Sequence, residues 1–119
     1  MFVRLKSMEE LSVISLTYEV YKKLIELNTK IDKKYRYALG EPTIKSCETV
    51  LEQLILAKNA PKPLKATYLI NADAAAELTA LKLRVILEMK LINETNVLKI
   101  QSRLTEARRQ IGGWRKSAT

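Results

Sequence analysis

The side chains of this sequence best equipped to bind something are its cations, and they gather in its last stretch. Between residues 94 and 116, ETNVLKIQSRLTEARRQIGGWRK, stand Lys99, Arg103, Arg108, Arg109, Arg115 and Lys116 against only Glu94 and Glu106. Six bases against two acids leave +4, half of the formal +8 carried by all 119 residues. Such a concentration of positive charge suits a polyanion or an acidic protein partner. A second group, Lys33, Lys34 and Arg36, is interleaved with Tyr35 and Tyr37. That mixture of charge and rings is one with which a loop takes phosphates and stacks on bases. Both groups also have plainer readings. Arginines on one helix face can be a solvated surface, and loop tyrosines can pack back onto the end of a bundle.

Other chemistry is poorly provided for. There is no histidine and only one cysteine, Cys47, which excludes Ser-His-Asp and Cys-His nucleophile systems and a His/Cys zinc site. Aspartate occurs only at Asp32 and Asp73, so no paired-aspartate cluster for magnesium is expected. No glycine-rich phosphate loop is present. The expectation is a protein that is not an enzyme and has no metal or other cofactor. A lone cysteine, Cys47, reads as a buried small hydrophobe and fits a reducing cytoplasm. The first residues, MFVRLKSMEE, lack an apolar signal-peptide core, and no apolar run of about 18 residues is available to cross a membrane.

Helices must position these cations. In the last stretch Val97, Ile100, Leu104, Ala107, Ile111 and Trp114 recur at steps of three and four, an apolar seam along one helix face. Asn93 is placed to cap that helix. A first helix runs from an N-cap at Ser7 to about Ile31. One stripe on it is Leu11, Ile14, Tyr18, Tyr21, Ile25 and Asn28; a second is Val13, Leu16, Val20, Leu24, Leu27 and Ile31. Glu19–Lys23 and Glu26–Lys30 are spaced as i,i+4 ion pairs on its polar edge. Residues 32 to 41 read as a basic, aromatic loop. Pro42 suits the first turn of a second helix, 42 to 59, with Ile44, Cys47, Leu51, Leu54, Ile55 and Lys58 on one side. Pro61 and Pro63 bound a break. A third helix, 64 to 91, has the stripe Leu69, Ala72, Ala76, Thr79, Leu83 and Ile86 beside a second, Tyr68, Ala75, Leu78, Val85 and Met89. A turn of two or three residues at Ile92-Asn93 leads into the last helix. These lengths and short links predict an all-α, up-down-up-down four-helix bundle in a single domain, residues 1 to 119.

Tyr35 to Gly40 (YRYALG), Ala60-Pro61-Lys62, Leu81 to Arg84 (LKLR), Met89 to Asn93 (MKLIN) and Ile111-Gly112-Gly113-Trp114 follow one another in an order that carries a resemblance. From about residue 17 onward the chain resembles the four-helix-bundle accessory proteins of diversity-generating retroelements, the accessory variability determinant (Avd) family. The resemblance implies a barrel-like homopentamer that binds the retroelement reverse transcriptase and contacts RNA or DNA through its basic surface, supporting mutagenic cDNA synthesis. The family carries two basic residues one turn apart on its third helix. Arg84 matches the second, while the first position here is Ala80, which shifts weight to the last helix. A more distant bundle family, encoded in intervening sequences of 23S ribosomal RNA genes, shares the architecture.

Two function classes follow. One is an accessory module contacting nucleic acid or a partner through Arg84, Lys99, Arg103, Arg108, Arg109, Lys33, Lys34 and Arg36. The other is an oligomeric structural bundle with no nucleic-acid role. The double-width apolar faces of the first and third helices predict self-association under either reading. Gly112-Gly113 is expected either to end the last helix or to admit a close neighbour.

Overall fold

Four long helices carry the chain in the computed structural model, which describes residues 2–118, with side chains from residue 12 onward: α1 (Phe2–Asn28), α2 (Glu41–Asn59), α3 (Lys62–Glu88) and α4 (Glu94–Ala118). Among the described residues there is no strand. Each helix packs against two others: α1 with α2 and α4, and α3 with α2 and α4. A helix of 27 residues is about 40 Å long at 1.5 Å per residue, which accounts for most of the 47 Å long axis; the two shorter extents are 21 and 18 Å. Polar contacts place the partners along their lengths. Lys65, at the start of α3, donates to the carbonyls of Ala57 and Lys58 at the end of α2. Lys82, far along α3, donates to Ser46 Oγ and Pro42 O at the start of α2.

One core lies between the four helices. On α4 the predicted seam is buried from Val97 to Ile111, and Trp114 is half-buried against it. On α3 every member of the stripe from Leu69 to Ile86 is buried, Ala72 and Ala76 included. On α1 the second stripe forms the core face from Val13 to Leu27, with Leu16 half-buried, and Ile31, in the turn beyond the helix, is buried with it. Leu11 lies within α1, but its side chain is outside those described. Four hydroxyls enter the interior because each finds a backbone acceptor one turn back. Thr17 donates to Val13 O, Thr43 to Leu39 O, Ser46 to Pro42 O and Thr79 to Ala75 O, so none is left unsatisfied.

Several boundaries differ from the sequence expectation. Helix α1 begins at Phe2, so Ser7 is interior to it, and it ends at Asn28. The segment expected to be a loop is helical: a turn over Lys33–Tyr35 capped by Asp32, then a π-turn over Arg36–Gly40 closed by Glu41 N–H on Arg36 O. No proline or glycine interrupts Asp32 to Leu39, so nothing in it resists helical backbone. Gly40 is needed there for space. A Cβ at Gly40 would collide with the Asn28 side-chain amide. On α2 the buried face is Thr43, Ser46, Cys47, Val50, Leu54 and Ala57, and Ile55 is turned outward. Pro63 does not exclude a helix: α3 starts at Lys62 and takes it in the first turn, where its missing N–H costs nothing. The α3–α4 connection is five residues, Met89 to Asn93, not two or three. Its chain reversal is a Schellman motif, with Leu91 N–H on Ile86 O at 3.1 Å, Lys90 N–H on Leu87 O at 3.0 Å, and Lys90 at φ 56°. Asn93 then caps α4 as expected, its Oδ1 accepting from Thr95 N–H at 2.8 Å.

Candidate nucleic-acid interface

The cations singled out in the sequence separate into those already occupied and those that are not. Arg108 reaches across from α4 to α3, its Nε donating to Asp73 Oδ1 at 3.0 Å and its Nη2 to Glu77 Oε1 at 3.4 Å. It clasps two helices. Arg109 grips Glu106 with both arms, at 2.6 and 2.9 Å. Hydrogen bonds from Arg109, and next from Gln110, hold the Glu106 carboxyl down at about 2. Glu106 in turn holds the Arg109 guanidinium above its ordinary range. Arg84 pairs with Glu88 one turn on, at 2.9 Å. Arg36 folds back on the turn that follows α1, its Nε on Ile31 O at 2.9 Å and its Nη2 on Thr29 O at 3.1 Å. The Lys34 ammonium lies 5.1 Å from the centre of the Tyr35 ring, and Tyr35 packs against the core. Tyr37 is 77% exposed. Lys33 is exposed and has no ion-pair partner among the described residues.

Lys99 and Arg103 have a different setting. They stand one turn apart on α4 and line a groove between α4 and α1. Lys23 of α1 and Lys30 of the turn after it line the same groove. The opposing carboxylate is Glu26, and it faces Lys23 at 3.4 Å. The predicted Glu26–Lys30 and Glu19–Lys23 pairs do not form. Glu19 instead pairs with Lys22, three residues on, at 4.0 Å, while Glu26 turns back to Lys23, three residues before it. Lys30 is left over. Among the described residues, Lys30, Lys99 and Arg103 therefore have no carboxylate partner. Beneath them the groove is apolar: Leu27 and Ile100 are buried in its floor, and Ile92 is half-buried. The exposed Asn96 completes its wall.

Of the eight cations singled out, the fold brings Lys99 and Arg103 together and leaves Arg84, Arg108 and Arg109 in ion pairs elsewhere. Lys23 and Lys30 were missed. Their signal was available: a spacing of seven on the flank of the α1 core stripe, beside Val20 and Leu27. Among the described residues no helix is long and apolar enough to cross a membrane, and no three ligand-type side chains converge as a metal site. Comparisons with protein-family models, with curated proteins and with solved structures find no match.

Proposed function

We propose that this protein is a non-catalytic accessory factor of the diversity-generating retroelement type. In this reading it binds RNA or its cDNA along the α1/α4 groove and a reverse transcriptase through its surface. The observation that carries the nucleic-acid part is the convergence of Lys30, Lys99 and Arg103 with no carboxylate paired to them, the groove's one carboxylate, Glu26, being taken by Lys23. Cations without internal partners release condensed counterions when they meet a phosphate backbone, which is the main source of sequence-independent affinity. Cations already paired must first give up a carboxylate. Lys33, Lys34 and the exposed Tyr37 offer a secondary contact at the linker.

The partner and the assembly rest on the resemblance in YRYALG, LKLR, MKLIN and IGGW. The helices would run up-down-up-down, which the Lys65 and Lys82 contacts between α2 and α3 favour. Five copies would form a barrel-like ring in the cytoplasm, repeating the groove around its wall and adding weak contacts through effective concentration. Exposed apolar side chains on α3, including Ile70, Leu78, Leu81 and Val85, favour such self-association. With neither histidine nor a reactive thiol, the protein would act on copying by holding and orienting the enzyme on its template. The test is reconstitution of cDNA synthesis from a retroelement reverse transcriptase and its template RNA, with and without this protein. Co-purification with the enzyme and a higher cDNA yield are expected. Equal yield without co-purification leaves the structural-bundle reading.

A further inference from the structure

Within that nucleic-acid reading, we infer that the α1/α4 groove is a pocket for a single unpaired nucleotide, so that the protein selects single strands over duplex. The groove has two chemically distinct parts. Lys30, Lys99 and Arg103 supply positive charge, while Leu27 and Ile100, with Ile92 beside them, make an apolar floor. A free phosphate or an acidic side chain needs only the charge and gains nothing from the floor. A nucleotide needs both, because a flat, largely apolar base is tethered a short way from its phosphate. Asn96 places an amide, which both donates and accepts hydrogen bonds, in the same groove, suited to a base edge. Arg103 adds a planar guanidinium able to lie on a base as well as to meet a phosphate.

Duplex cannot use this site fully. Its bases are stacked and paired inside, and what reaches a recess between two helices is the phosphate ridge, leaving the floor empty. An unpaired strand can turn one base out of its run and insert it. No aromatic side chain lines the groove, so the base gains from burial and hydrogen bonding instead of ring stacking.

The experiment is fluorescence anisotropy on the full chain with a labelled single-stranded RNA and the matching RNA duplex at one salt concentration. Nucleoside monophosphate and inorganic phosphate serve as competitors. The single strand is expected to bind at least about tenfold more tightly, the scale of one hydrogen bond together with burial of part of an apolar base, and the nucleotide to compete where phosphate does not. Asn96→Ala, at an exposed position, and Ile92→Ser are expected to reduce single-strand affinity and leave duplex affinity unchanged. Equal affinity for both RNAs, untouched by these variants but lowered by K99Q/R103Q, overturns the pocket and leaves the nucleic-acid reading intact. Binding of polyglutamate with no binding of either RNA overturns both.

Discussion

Lys90 sits at φ 56° in the Schellman turn that ends α3, a position that glycine occupies without steric cost and a side chain does not. Two hydrogen bonds of the motif and the burial of Ile86 beside Leu91 hold the turn there. Lys90→Gly is expected to raise stability by about 1 kcal/mol, measured by urea denaturation. Loss of stability would mean that the lysine side chain holds the turn by a contact of its own. Cys47 makes a second prediction at this scale. Burial pushes its thiol from 9.0 up to about 12, so the folded protein favours the neutral form. The associated stability is complete below about pH 9 and is lost as pH rises from there towards 12, where the unfolded chain ionises first. Cys47→Ala is expected to flatten that part of the pH profile in urea denaturation; parallel profiles would contradict the burial argument.

Among the elements, α4 holds the least expected backbone. Gly112 and Gly113 were expected to stop the helix or to seat a neighbour, yet the helix runs through them to Ala118 and a Cβ at either would meet nothing within 4 Å. Alanine at each is expected to stabilise the chain by about 1 kcal/mol, read as a rise in thermal midpoint. A stability gain accompanied by loss of self-association would identify the pair as a seat for a second chain. The core of α4 was legible in the sequence because it repeats one apolar step without interruption, whereas α3 carried a second stripe that only packing turns outward, with Leu78, Val85 and Met89 exposed. Helix α1 carried two apolar stripes, and only packing against α2 and α4 decided that the one from Val13 to Ile31 faces inward. The groove was legible in half. Lys99 and Arg103 stand out by local charge, whereas Lys30 belongs to it only because the end of α1 meets the start of α4. Nor can spacing decide whether Glu26 turns to Lys30 or to Lys23, or that Arg108 reaches across to Asp73. Those choices depend on where neighbouring helices leave room. The linker from Asp32 to Gly40 was readable in principle, since an aspartate cap followed by seven residues without proline or glycine favours helix.

At the scale of the whole molecule, the packing leaves a row of apolar side chains on α3, with Leu81 and Val85 exposed near its end and Tyr18 and Ile25 exposed on α1. Self-association is the expected consequence, and L81E/V85E is expected to reduce the species seen by light scattering at micromolar concentration to the 13.6 kDa chain. A wild-type protein already of that mass would remove the ring. The central claim, however, concerns charge: that cations without partners in the α1/α4 groove bind nucleic acid, and paired cations elsewhere do not. Two double variants of equal charge change separate these directly. K99Q/R103Q removes two groove cations, and R84Q/R109Q removes two exposed cations held by Glu88 and Glu106. The measurement is the slope of log affinity for single-stranded RNA against log salt. K99Q/R103Q is expected to make that slope shallower by about 1.4, at about 0.7 for each phosphate contact on a single strand, while R84Q/R109Q leaves it unchanged. Equal changes from both pairs would mean that net charge alone attracts the RNA, and would contradict the groove as the site.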